Sequence, residues 1–391
     1  MTRTSVPGAT MNRGAGPRLL LSHALSATAM SMPWPALLAE VWSSTHSDLW
    51  LGVTGAARLL PYVLLSAAAG ILADRFRRSK VLRWSAAIRA VLLLGCAVAV
   101  SADQLGLGVG LAVLTVAAGT PAYPAAVAAM PNLSGAGSDR LTGLLVTVEV
   151  TAFVVGPAVG GLLLGLGDGA WSVTASVVFA VLAVPLLHRL DSGPVVVEPQ
   201  RPGLGRLRTV LTSPGVPMAI AVVALVNFVE AAASVALLPL SLEHWHAGDQ
   251  GFGLATAALG FGSLAAPLLG LVVRLRGALL LNAGGFGLSG AASSAAFAAG
   301  PLAVAGAAGT VVEVYSTEVL QHSVPDHVRA FSLGVTDSVM VSAAAVGALI
   351  APQLSSLIGP VATFVGLGLI LGCSVVVVAR VSHLRRTPAA V

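Results

Sequence analysis

Apolar runs about 20 residues long follow one another down the chain, separated by short breaks that hold almost all of the charge. A helix needs about 20 consecutive apolar residues to cross the hydrocarbon core of a bilayer. The pattern predicts twelve such spans, at about 18–40, 50–73, 81–101, 105–130, 141–165, 170–189, 215–240, 250–273, 277–299, 301–322, 331–355 and 360–381. The runs are unbroken rather than alternating, which excludes the strands of a membrane β-barrel. The first run is too long for a signal peptide and lacks an A-x-A-like cleavage site.

Composition agrees with this pattern. The 391 residues are 56% hydrophobic and only 9% charged, with a mean hydropathy of +0.90. A soluble domain carries about 25% charged residues. The predicted fold class is therefore an all-α polytopic membrane protein. The longest break, DSGPVVVEPQRPGLGRLRTVLTSPG at 190–214, is Pro/Gly-rich, basic and central. It reads as a linker between two six-helix halves. The predicted organisation is a tail at 1–17, a first half at 18–189, the linker at 190–214, a second half at 215–381 and a tail at 382–391.

Charge sets the orientation. Nineteen of the 21 basic residues fall at breaks on one side of the predicted topology, and the breaks on the other side hold none. Basic residues mark the cytoplasmic face of a membrane protein. Both termini and the linker are thus expected in the cytoplasm, with the chain in the cell membrane. The remaining two, Arg58 and Arg89, lie within spans. The net charge of +5 marks a membrane side and forms no nucleic-acid patch.

No G-x-x-x-x-G-K-[ST] loop, metal-ligand spacing or nucleophile motif is present. The sequence therefore predicts no enzyme, no cofactor and no metal. Cys96 and Cys373 lie in apolar runs and imply no disulfide framework. The expected partners are the lipid bilayer, a small-molecule substrate and protons, and the expected state is a monomer.

The sharpest local feature is Gly70–Arg83, GILADRFRRSKVLR. Asp74 ends an apolar run, Gly70 sits one helical turn before it, and Arg75, Arg77, Arg78, Lys80 and Arg83 follow. This G-x-x-x-D-R-x-x-R-x-K pattern resembles the signature loop between helices 2 and 3 of the major facilitator superfamily of transporters. The usual Gly three residues after the Asp is Arg77 here. In span 5, Gly156-Pro157-Ala-Val-Gly160-Gly161 resembles the motif of drug–proton antiporters in that superfamily, with Ala152 in place of a further Gly. The stretch Glu318–Gly334, with its Leu-Gln…Val-Pro-Asp…Arg pattern, is similar to the efflux branch, which includes macrolide, siderophore and multidrug exporters. The resemblance implies alternating access between two halves and proton-driven export of a small organic molecule. It also makes Gly70, Asp74, Arg75 and Arg78 gating residues. Uptake or facilitated diffusion by the same fold, and a non-transporting sensor or scaffold, are the alternatives.

Ionisable groups within spans are the candidate coupling or cavity residues, because a charge at mid-bilayer costs about 2.5–3.5 kcal/mol on insertion scales. They are Glu149 in span 5, Glu230 with Asn227 on one face of span 7, Glu313 in span 10, and the cations Arg58 and Arg89. Glu149 reads equally as a proton carrier or as half of an ion pair, for which Arg89 is the candidate; Glu40 is the candidate for Arg58. Asp337 reads as a helix cap or a contact of the basic 2–3 loop. His23 reads as an interfacial hydrogen-bonder. Met-Pro33-Trp34-Pro35 breaks span 1, and Trp34 there could stack on a substrate or sit in an interfacial belt. Pro157 and its glycines read as a pivot near the substrate path.

Overall fold

A computed structural model describes residues 14–65, 76–134, 138–167, 169–188, 190 and 204–384. Gly70, Asp74 and Arg75 of the predicted gating loop lie outside these described residues. Among the described residues every regular element is helical.

The first predicted span is a pair, α1 (Ala15–Ser31) and α2 (Trp34–Thr45), broken at Met32-Pro33. Proline cannot donate its backbone N–H and disfavours helix in the residue before it. The Met32 carbonyl at the break accepts a hydrogen bond from Ser172 Oγ at 2.8 Å. The second span begins as α3 (Asp48–Ala57), capped by Ser47, turns at 58–59 and resumes over 60–65. Next come α4 (Arg78–Ser101), α5 (Leu105–Gly119), α6 (Ala122–Ser134), α7 (Ser138–Gly165) and α8 (Gly169–Leu186). α7 runs unbroken through Pro157.

Within the predicted linker lies a helix, α9 (Leu204–Thr212). Its Val210 is buried among Val216, Ile220, Leu320 and Val324, so this part of the segment is docked on the second half. The second half continues with α10 (Val216–Pro239), a π-turn at Leu240–His244, α11 (Gly248–Ser263), α12 (Ala266–Gly270), α13 (Leu275–Ala291), α14 (Ala295–Ser323), α15 (Asp326–Ile358) and α16 (Pro360–Leu384).

Eight described stretches are long and apolar enough to cross a membrane. They are Arg78–Ser101, Leu105–Met130, Thr147–Gly165, Gly169–Leu186, Val216–His244, Ala295–Leu320, Phe331–Ile358 and Pro360–Arg380. The other four predicted spans fall on the α1–α2 pair, on α3 with 60–65, on the α11–α12 pair and on the 17-residue α13. One boundary is corrected. The sequence placed the break between the ninth and tenth spans at Gly300, but it falls at 292–294. Ser294 caps α14 there by accepting from the Phe297 N–H, and Pro301 lies inside the helix.

The packing sorts into two groups. α1 packs on α7 and α8, and α4 on α5 and α8. In the second group α10 packs on α15, α11 on α14, and α13 on α14 and α16. Two helix pairs carry most of the contact between the groups, α7 with α11 and α3 with α15. Both are built on small residues, as close helix packing in a bilayer requires. Gly253 of α11 abuts the backbone of Gly161 and Gly165 of α7, and Gly52 of α3 abuts the carbonyl of Leu349 in α15. Gln353 Nε2 donates to the Asp48 carbonyl at 3.2 Å. These contacts lie at the ends of the spans remote from the start of α1. Large apolar side chains such as Leu271 and Val272, 81% and 80% exposed, point outwards, as a surface solvated by lipid tails should.

A polar pair, a carboxamide nest and a cavity

The first polar group sits between α1 and α7. His23 is only 4% exposed, and its Nε2 lies 2.5 Å from Glu149 Oε2. This corrects the interfacial reading of His23. Tyr123 stands beside the imidazole, with ring centroids 6.0 Å apart. Arg89, buried on α4, donates from Nε to the Ser85 carbonyl at 3.3 Å. It feels the charge of Glu149, but the direct partner of Glu149 is His23, not Arg89. His23 Nδ1 is buried without a hydrogen-bond partner. A doubly protonated ring would therefore bury an unpaired N–H, a cost of about 1–3 kcal/mol.

The second group lies wholly in the second half. Asn227 Nδ2 of α10 donates to Glu313 Oε1 of α14 at 3.0 Å. One turn along α10, Glu230 Oε1 faces Asn282 Nδ2 of α13 at 3.4 Å. Asn282 also donates to the Ala305 carbonyl at 2.8 Å. Glu230 fits here because residue 309 is glycine: a Cβ at that position would collide with the Glu230 carboxylate. The partners of both carboxyls are neutral amides, and neither forms an ion pair among the described residues.

Asp337 lies three turns into α15 and is exposed, which corrects a cap role at the start of the helix.

A cavity of about 1320 Å³ opens at the end of the molecule opposite the glycine seams. Thr147 and Thr151 of α7 and Thr310 and Tyr315 of α14 line it, with Arg274, Arg276 and Glu318 nearby. His23, Glu149, Asn227, Glu230, Asn282 and Glu313 are not among its lining residues. α7 and α11 thus close together at one end and part at the other.

A family model described as Major Facilitator Superfamily matches residues 19–342. The chain belongs to the Major Facilitator Superfamily. It is a multi-pass membrane protein of the major facilitator type, and its all-α fold is that of the family. Two relatives, each named as a candidate bacilysin exporter, BacE, come from Bacillus amyloliquefaciens and Bacillus subtilis. Each is 32% identical over 148 residues, 37% of this chain and 36% of the relative. The match thus spans little more than a third of each relative's length. Among solved structures, a POT family transporter in complex with 5-aminolevulinic acid aligns with a TM-score of 0.74 at 11% identity, over 97% of this chain and 98% of that one. A bacterial homologue of the human lysosomal transporter Spinster, inward-facing and occupied, aligns at 0.70 and 14%, over 98% and 100%. At these identities the structures speak for the fold alone.

The remaining predicted residues of this major facilitator protein take the following places. Trp34 is 2% exposed and packs with Met30, Leu37, Cys96 and Val116; it is core, not cavity wall. Arg58 donates to Ser234 Oγ of α10 at 3.0 Å, bridging the halves. Glu40, its expected partner, is exposed and accepts from Ser44. Arg78 donates to the Ala128 carbonyl at 2.6 Å and fastens α4 to α6. Gly156 and Gly160 abut Ser31 and the Met32 carbonyl at the α1 break, while Gly161 abuts Gly253 across the halves. The helix 5 motif therefore joins α7 to its own half on one face and to the other half on the next. Asn282, Tyr123 and Gly309 were missed as site residues; only Asn282, a lone amide within an apolar run, offered a signal.

Proposed function

We propose that the chain is a proton-coupled exporter of a small amphipathic organic molecule, working by alternating access in the cell membrane with both termini in the cytoplasm. The observation that carries the proton reading is the choice of partners around the membrane carboxyls. Glu149 meets an imidazole, and Glu230 and Glu313 meet carboxamides. An Arg partner would hold a carboxylate in its charged form. An imidazole or an amide can bond either the acid or the carboxylate, because each can offer a donor or an acceptor. Such groups can take and release a proton without losing their place.

An amphipathic substrate is supported by a cavity with Val and Leu walls, threonine hydroxyls and arginines nearby. Loading from the cytoplasm is supported by the charge bias together with the cavity opening on the arginine-bearing side. Export rather than uptake is supported by the partial likeness to candidate bacilysin exporters.

The test uses everted vesicles energised to be acid inside, with a pH dye and a panel of peptide antibiotics, macrolides, siderophores and lipophilic cations. Substrate-dependent dequenching is expected for one class, and Glu149→Gln should reduce it at least tenfold, about 1.4 kcal/mol. A Glu149→Gln protein that still concentrates substrate on the proton gradient would remove Glu149 from the coupling path.

A further inference from the structure

We infer that the carboxamide nest of the second half is a binding site for a small monovalent metal cation of sodium size. Its candidate ligands are all oxygen: the Glu230 carboxylate and the carbonyl of Asn282 beside it. Hard cations are held by such oxygen ligands. Neither residue offers a thiolate or an imidazole, the groups that favour a transition metal.

The deciding observation is Asn282. The residue is fully buried, 0% exposed. Its Nδ2 is committed to the Ala305 carbonyl at 2.8 Å and faces Glu230 at 3.4 Å. Those bonds fix which end of the amide is nitrogen. Oδ1, on the same small planar group, is left buried with no hydrogen-bond partner. A buried acceptor without a donor costs about 1–3 kcal/mol, and here it stands beside a carboxylate with no cationic partner. Neither Glu230 nor Glu313 has an ion-pair partner among the described residues. One bound cation would answer both deficits, the orphaned oxygen and the uncompensated charge. The absent side chain at Gly309 keeps Glu230 in position for it.

The site goes beyond the proposed proton coupling, and it rests on the transporter reading only for its role as a coupling-ion site. Binding can therefore be tested without transport. The purified protein in nanodiscs would be melted in NaCl, LiCl, KCl or choline chloride at equal ionic strength, so that screening is constant. Sodium should raise the melting temperature saturably by about 3 °C, potassium less and choline not at all. Glu230→Gln should abolish the rise. Gly309→Ala, which leaves every charge in place and displaces the carboxylate, should abolish it too. Glu149→Gln should retain it. Equal melting in sodium and choline would overturn the site, as would a sodium response that survives both Glu230→Gln and Gly309→Ala. Should Glu230→Gln fail to fold, equilibrium binding of radioactive sodium to wild type and Gly309→Ala decides. Sodium binding in a protein that moves no substrate would keep the site and reject the transporter role assigned to it.

Discussion

In the first half, the half-buried carboxylate of Glu149 lies 2.5 Å from His23 and in the field of Arg89. In the second half, Glu230 and Glu313 are met by Asn282 and Asn227. The first arrangement carries its own compensation, because a guanidinium stands in the same half as the carboxylate and its imidazole partner. The second contains negative charge and dipoles. Breaking a buried charge pair leaves an uncompensated ion, at a cost of about 3–5 kcal/mol. A half built like the first can hold its state unaided, whereas a half built like the second depends on something brought in from solution. The difference suggests a division of labour, with proton exchange in the first half and cation capture in the second.

The largest expected effect comes from making the second half resemble the first. Asn227→Lys would set an ammonium beside Glu313 and supply the missing positive charge covalently. A permanent ion pair there should abolish the sodium response and lower initial transport rates in proteoliposomes by about a hundredfold, or 2.7 kcal/mol. A variant that transports normally would show that Glu313 never has to stand without a cation, and the contrast between the halves would lose its functional meaning.

How much of this was legible in the sequence follows from what each signal depends on. Run length and loop charge are local, so the helical class and most spans could be read directly. The break near residue 293 could not. No charged residue occurs between Arg276 and Glu313, and Gly300-Pro301 is a more conspicuous breaker than the serines that form the cap. Candidate carboxyls were visible as charges in apolar runs, but their partners were not. His23 and Glu149 are 126 positions apart, and only the packing of α1 on α7 brings them together. Trp34 looked interfacial because Pro33 and Pro35 flank it, yet the break they produce turns the indole into the core. Asn282 was hidden by its neighbours, since Ala283-Gly284-Gly285 reads as a packing stretch.

A smaller effect is expected where the two halves meet rather than where they differ. Gly253→Val would drive a side chain into the backbone of Gly161 and Gly165, and backbone cannot move aside as a side-chain tip can. Overpacking of this kind costs about 1–3 kcal/mol. The melting temperature should fall by several degrees, and transport should slow about tenfold because the glycine seam no longer closes. The sodium response should persist, since the nest lies elsewhere. Its loss in this variant would mean that the halves are coupled so tightly that comparing them as separate units is unsound.

The smallest effect tests the first half by itself. His23→Gln keeps an N–H donor within reach of Glu149 and removes the group that can take its proton. His23 is the side chain in direct contact with the Glu149 carboxyl, so its removal tests whether the imidazole takes part in proton exchange. Transport at the optimum pH should stay within about threefold of wild type, about 0.7 kcal/mol, since Arg89 and the new amide still stabilise the carboxylate. The informative quantity is the shape of the pH profile. If the imidazole takes part in proton exchange, the glutamine variant should show a narrower profile. Initial rates measured from pH 5 to 9 in proteoliposomes, with the gradient held constant, decide between them. A narrowed profile places the imidazole of His23 in proton exchange with Glu149. An unaltered profile makes His23 a packing partner that only orients the carboxylate.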